Sequence, residues 1–101
     1  MDYRFVMHKR ASKQLHKLPS ELDERIQNKL QEMVTNEFRD LMGYDVDTVS
    51  GVTYDIYRTR IGGHRVFFVI EGPIVAILHV DDREGAYGNP SMLDDRADDF
   101  F

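Results

Sequence analysis

Residues 53–80, TYDIYRTRIGGHRVFFVIEGPIVAILHV, decide the fold. They hold three β-type runs, Thr53–Ile61, Arg65–Glu71 and Ile74–Val80, broken by Gly62-Gly63 and by Gly72-Pro73. Two-residue breaks between runs rich in β-branched and aromatic residues are hairpin signals. The reading is a three-stranded antiparallel meander.

Upstream, Asp2–Met7 alternates loosely, with Tyr3 and Phe5 on one face and Arg4 and Val6 on the other, and reads as a first strand beside the meander. Ala11, Leu15 and Leu18 then recur at helical spacing among Lys9, Arg10, Lys13 and Lys17, and Pro19 stops that short basic helix. Ser20 followed by Asp23 looks like a capping-box start. Leu22, Ile26, Leu30, Met33 and Val34 form one apolar stripe along a second helix of about four turns. The two helices should make an αα-hairpin. Residues 36–52 read as a connector, in which Phe38, Leu41 and Met42 suit one further helical turn.

The expected fold is therefore α+β, an N-terminal strand and an αα-hairpin packed on a small antiparallel β-sheet. The domain spans residues 1–90. Residues 91–101 are polar, acidic and aperiodic and are expected to form a flexible tail.

Composition narrows the function. The 101 residues suit one domain, with 42% apolar residues for a single core. Cysteine is absent, which removes disulfides and thiolate metal sites, and no cofactor or metal motif is present. Neither a signal-peptide pattern nor a bilayer-length apolar run occurs, so the expected location is the cytoplasm, with no membrane partner. The net charge of −5 argues against nucleic-acid binding at first sight. Asp94, Asp95, Asp98 and Asp99 against Arg96 put −3 of it in the last eleven residues, so residues 1–90 carry −2. Asp outnumbers Glu twelve to six and Arg outnumbers Lys nine to four, a balance that suits solubility in concentrated salt.

Arg58 and Arg60, two apart in a strand, leave the same face of the sheet, and Arg65 opens the next strand across the Gly62-Gly63 turn. Three guanidiniums brought together repel unless anions intervene, and Asp55 or Asp81 is the nearest carboxylate in sequence. The functional reading is a phosphate-binding cluster; the ordinary one is an exposed strand face with surface ion pairs. His64, beside Arg65 at the turn, is the best placed of the four histidines as a proton carrier, although a turn histidine is more often just exposed. Arg83 and Tyr87 follow the last strand and should stand at the end of the sheet.

Residues 57–87, YRTRIGGHRVFFVIEGPIVAILHVDDREGAY, resemble the signature half of RelE/ParE toxins, in which a Y-R-x-R-x-G-x-x-R segment leads through a β-hairpin to an R-x-x-x-Y end. ASKQLHKLP at Ala11–Pro19 resembles the first helix of that family, and the likeness runs over residues 2–87. His64 stands where the family commonly has an aromatic, and Asp81 and Asp82 precede Arg83 in place of a glycine and a basic residue. The resemblance implies the toxin of a type II toxin–antitoxin system, a ribosome-dependent endoribonuclease (mRNA interferase) that needs no metal and is neutralised by a cognate antitoxin in a hetero-oligomer. Carried over by position, Arg65, Arg83 and Tyr87 would be catalytic, with Tyr87 the proton carrier, and Arg58, Arg60 and His64 would hold RNA. ParE-like relatives share the fold but act on DNA gyrase by protein contacts, which is the alternative. A degenerate domain that only regulates a partner is the third.

Overall fold

The computed structural model describes residues 4–35, 46–81 and 89–101. Tyr3, the Val34 side chain, the turn expected around Phe38, Arg83 and Tyr87 lie outside the described residues. Strand β1 (Arg4–Met7) leads to helices α1 (Lys9–His16) and α2 (Ser20–Thr35). Strands β2 (Val46–Thr48), β3 (Ile56–Ile61), β4 (His64–Glu71) and β5 (Ile74–Asp81) follow, and then helix α3 (Pro90–Asp98). The fold is α+β, as the sequence predicts.

The sheet is larger than the expected meander. Its order is β1-β5-β4-β3-β2, with β1 parallel to β5 and the other pairs antiparallel. The sheet is therefore mixed, and β2 comes from the stretch read as a connector. Three residues give too short a run for period-two alternation to show. Gly62 and Gly63 both take positive φ in the β3–β4 turn, and Gly62 also lets that turn approach α2, where an added Cβ would stand 2.9 Å from a Leu22 methyl.

The first helix ends before Pro19, as read. The second opens one residue earlier than a capping box would place it. The Pro19 carbonyl accepts from Leu22 N–H and Asp23 N–H, so Ser20 is already helical, and the Asp23 carboxylate instead accepts from Gln27 at 2.6 Å. The two helices form the expected hairpin, and Ala11, Leu15, Ile26, Leu30 and Met33 pack on Val66, Phe68, Val75 and Ile77.

One end of the other face of the sheet is also dry, and this corrects the expectation of a flexible tail. Residues 90–98 are helical, and Leu93 and Ala97, one turn apart, are buried against Ile56, Val69, Ala76 and Leu78. Asn89 caps the helix by accepting from Ser91 N–H and Met92 N–H, with Pro90 at the first turn. The charged residues are its anchors. Both Asp94 oxygens accept from Thr53 N–H at 2.9 Å, and the Tyr54 hydroxyl donates to Asp98. That bond, ahead of burial, raises the Tyr54 phenol above its ordinary value. His8, 5% exposed, accepts from Arg10 N–H at the start of α1 and bonds Asp99 at 2.6 Å, with its ring edge-on to Phe100. Among the described residues no helix is long and apolar enough to cross a membrane.

Leu93→Ala should therefore cost about 2–5 kcal/mol, which lowers the thermal midpoint of a chain this size by roughly 10 °C or more. Asp95→Asn, on the exposed side of the same helix, should move it by no more than about 3 °C. Equal midpoints for the two variants would show that α3 is not part of the core.

Candidate functional site

The face that α3 covers at one end of the sheet is polar at the other. Strand alternation and the observed register place two rows of side chains there. Asp47, Arg58, Phe67 and His79 are successive partners across β2, β3, β4 and β5, and Arg60, Arg65 and Asp81 are successive partners across β3, β4 and β5. Asp47, Arg58, Arg60 and Arg65 line a recess of about 30 Å³. The structure thus brings together three of the arginines singled out from the sequence.

Positive charge outweighs negative among the residues that line the recess. Arg58 Nη2 lies 3.0 Å from Asp47 Oδ2, so the carboxylate on Arg58 comes from β2 and not from Asp55. Arg60 and Arg65 stand directly opposite each other, and two unit charges about 6 Å apart repel by roughly 0.7–3 kcal/mol at dielectric constants of about 80 to 20. Asp81, opposite Arg65 on the other side, offsets part of this. A polyanion threading the recess would reduce the repulsion further, and the planar guanidinium fork suits phosphate oxygens.

His79 reaches this face through an irregularity. Phe67 pairs with His79 and Phe68 with Ile77, so Leu78 has no partner on β4 and β5 carries a bulge there. The extra residue turns His79 to the side of Phe67, and their rings lie 5.6 Å apart. Arg96 of α3 donates from Nη1 to the Leu78 carbonyl at 2.9 Å and to His79 Nδ1 at 3.0 Å. A guanidinium only donates, so Nδ1 is the acceptor and the ring proton sits on Nε2, 3.6 Å from Asp81 Oδ2. Burial lowers the His79 imidazole below its ordinary value and Arg96 lowers it further, while Asp81 pulls the other way. The neutral ring is the form at neutral pH.

His64 is placed apart from the arginines. One residue before Arg65 in the strand, it faces the helices and lines a cleft of about 240 Å³ with Gln14, Lys17, Leu18 and Val80. Adjacency to Arg65 in sequence is what separates them, because successive strand residues point to opposite faces. Arg83 and Tyr87 lie outside the described residues, beyond the end of β5 at Asp81. Asp47, His79 and Arg96 were not legible as site residues. Asp47 sat in an unreadable strand, the bulge leaves no sequence mark, and Arg96 lay in the presumed tail.

A family model described as ParE toxin of type II toxin-antitoxin system, parDE, matches residues 5–87. The candidate toxin RelE1 of Methanocaldococcus jannaschii is 31% identical over 93 residues, 89% of this chain and 100% of that protein. The RelE of the archaeal RelE–RelB complex from Pyrococcus horikoshii OT3 matches with a TM-score of 0.70 at 27% identity, covering 85% of this chain and 100% of that one. The free-state E. coli toxin RelE, a double arginine-to-alanine mutant, gives a TM-score of 0.65 over 100% of both chains, and at 18% identity it is the fold that agrees. An αα-hairpin and a third helix on opposite faces of a five-stranded mixed sheet are the frame of a RelE-like toxin. The chain belongs to the ParE toxin family of type II toxin–antitoxin systems, within the RelE/ParE superfamily.

Asp47 competes with any anion for Arg58. Asp47→Asn should raise the affinity of this face for a short single-stranded RNA at low salt by up to about fivefold, the scale of one exposed ion pair. Weaker binding by the variant would mean that Asp47 holds Arg58 in its binding position.

Proposed function

We propose that the chain is an mRNA interferase, cutting mRNA on the ribosome without a metal ion, and that a cognate antitoxin protein silences it. What supports this most is the recess of Arg58, Arg60 and Arg65 on the open end of the sheet, beside the point where the chain leaves β5 toward Arg83 and Tyr87. The solved relatives include a RelE–RelB complex, which supports an antitoxin partner for this chain too.

In the proposed reaction the nucleophile belongs to the substrate. The 2′-oxygen forms a bond to the adjacent phosphorus and the P–O5′ bond breaks, which leaves a cyclic phosphate and a 5′-hydroxyl. The 2′-OH gives up a proton and the leaving oxygen gains one, and Tyr87 is the proposed proton carrier. Arg58 and Arg60 hold the flanking backbone. Arg65 and Arg83 meet the charge that grows on the phosphorane, so they act more on rate than on binding. His64, on the helix side of the sheet, takes no part in holding this phosphate; RNA passing the turn could reach it only from the opposite face.

Arg65→Ala and Arg83→Ala should each slow cleavage of ribosome-bound mRNA by about 10²–10³-fold, the effect of removing one preorganised charge-stabilising donor. Tyr87→Phe should slow it by about 10²–10⁴-fold if the hydroxyl carries the proton. Parent protein that leaves ribosome-bound mRNA intact but inhibits DNA gyrase would replace this reading with the ParE-like one.

A further inference from the structure

His79 is a titratable group on the arginine face to which the proposed reaction gives no task. It is nonetheless held from two sides. Arg96 arrives from α3 with its guanidinium on Nδ1 at 3.0 Å, and Asp81 stands 3.6 Å from Nε2. The histidine and aspartate side chains are only 13% and 16% exposed, and Asp81 is the direct cross-strand partner of Arg65. Arg96, His79, Asp81 and Arg65 therefore follow one another as a path of neighbouring polar groups from the C-terminal helix to the arginine proposed to meet the scissile phosphate. We propose that His79 is a positioning residue, anchored by Arg96 and steering Asp81 with its Nε2–H, so that Asp81 in turn sets the guanidinium of Arg65.

The chemistry of the path is directional. Arg96 can only donate, so it selects the tautomer that presents a proton to Asp81. The described groups around the ring come from several elements. Arg96 lies on α3, Asp81 on β5 and the Phe67 ring on β4, Arg58 shares the cross-strand row from β3, and Arg10 of α1 acts on Arg96. Protonating His79 puts a hydrogen on Nδ1 against the Arg96 donor. Two cations then face each other, Arg96 has to withdraw, and the charged ring draws Asp81 away from Arg65. Because the imidazole titrates below its ordinary 6.5, this happens on the acid side of that value and the neutral arrangement holds above it. The same sign applies to stability: the unfolded chain takes up this proton first, so stability falls as pH drops below 6.5.

The linkage rests on the geometry, and its effect on cleavage rests on the proposed function. Four proteins separate the two: the parent, His79→Gln, His79→Asn and His79→Ala. The longer amide of glutamine can return a donor to Asp81, whereas asparagine can return only an acceptor to Arg96. The first readout is the Arg65 Nε–Hε resonance in ¹⁵N NMR between pH about 7.5 and about 5.5. In the parent it should move with a midpoint below 6.5; in the Gln variant it should keep the neutral-pH position and not titrate. In the Asn and Ala variants it should be displaced throughout.

The second readout is cleavage of ribosome-bound mRNA. The Ala and Asn variants should lose about tenfold in kcat with little change in KM, and the Gln variant should stay within about threefold. The parent alone should show the acid limb. An Arg65 resonance indifferent to the residue at position 79, or rescue by Asn equal to that by Gln, would overturn the proposal. Should the parent cut no mRNA, the nuclease reading fails while the resonance still decides the linkage.

Discussion

Phe67 and Phe68 are neighbours in β4 and both are out of water, with Val66 and Val69 on either side equally buried. Successive strand residues point to opposite faces, so this strand is stable only if both faces of the sheet are covered. One helical layer is not enough. The αα-hairpin covers the Phe68 side and α3 covers the Phe67 side. At 25 cal/mol per Å², one buried phenylalanine side chain is worth about 1.5–3 kcal/mol, so leaving either face open would remove much of the margin that a chain of this size has.

The position of the arginines follows from how far α3 reaches. Leu93 and Ala97 cover the end of the sheet defined by Ile56, Val69, Ala76 and Leu78, and the other end of that face carries Arg58, Arg60 and Arg65. The boundary between dry and charged halves runs through Phe67 and His79, where the bulge lies. Arg96 closes the seam, reaching from α3 to the Leu78 carbonyl at the bulge. Its Nε is buried without a hydrogen-bond partner among the described residues. The guanidinium thus sits at the seam with Nη1 shared between the Leu78 carbonyl and His79 and with Nε unspent among the described residues.

The first two helices and three long strands were legible because each repeats its pattern over several residues. Leu22, Ile26 and Leu30 mark α2, and Gly62-Gly63 and Gly72-Pro73 mark the turns. The uninterrupted apolar runs Val66–Ile70 and Ile74–Leu78 already carried a sign of two-sided burial, which an antiparallel meander with one wet face would not need. What hid the second layer was composition. Of the nine residues in α3 only Met92, Leu93 and Ala97 are apolar, and its aspartates read as solvated charge when several are hydrogen-bond acceptors for the body of the domain. Register decided the site in the same way. Arg58 and Arg60 could be placed on one face by counting, but Asp47, His79 and Arg96 depend on which strands meet and where one of them bulges.

The contact between His8 and Asp99 joins positions 91 apart, and it supplies the cap that starts α1 with its outer anchor. Closing a loop of that length costs roughly 4 kcal/mol in chain entropy beyond a constant. A single hydrogen bond cannot meet that before the strands between have paired. The contact therefore forms late, once β1 lies along β5 and the two distant segments are already neighbours. Folding of this domain ends where its ends meet, and α3 cannot lift from the sheet without also loosening the first turn of α1. The two ends should then open together, with the amides at the start of α1 exchanging with solvent no slower than α3 undocks.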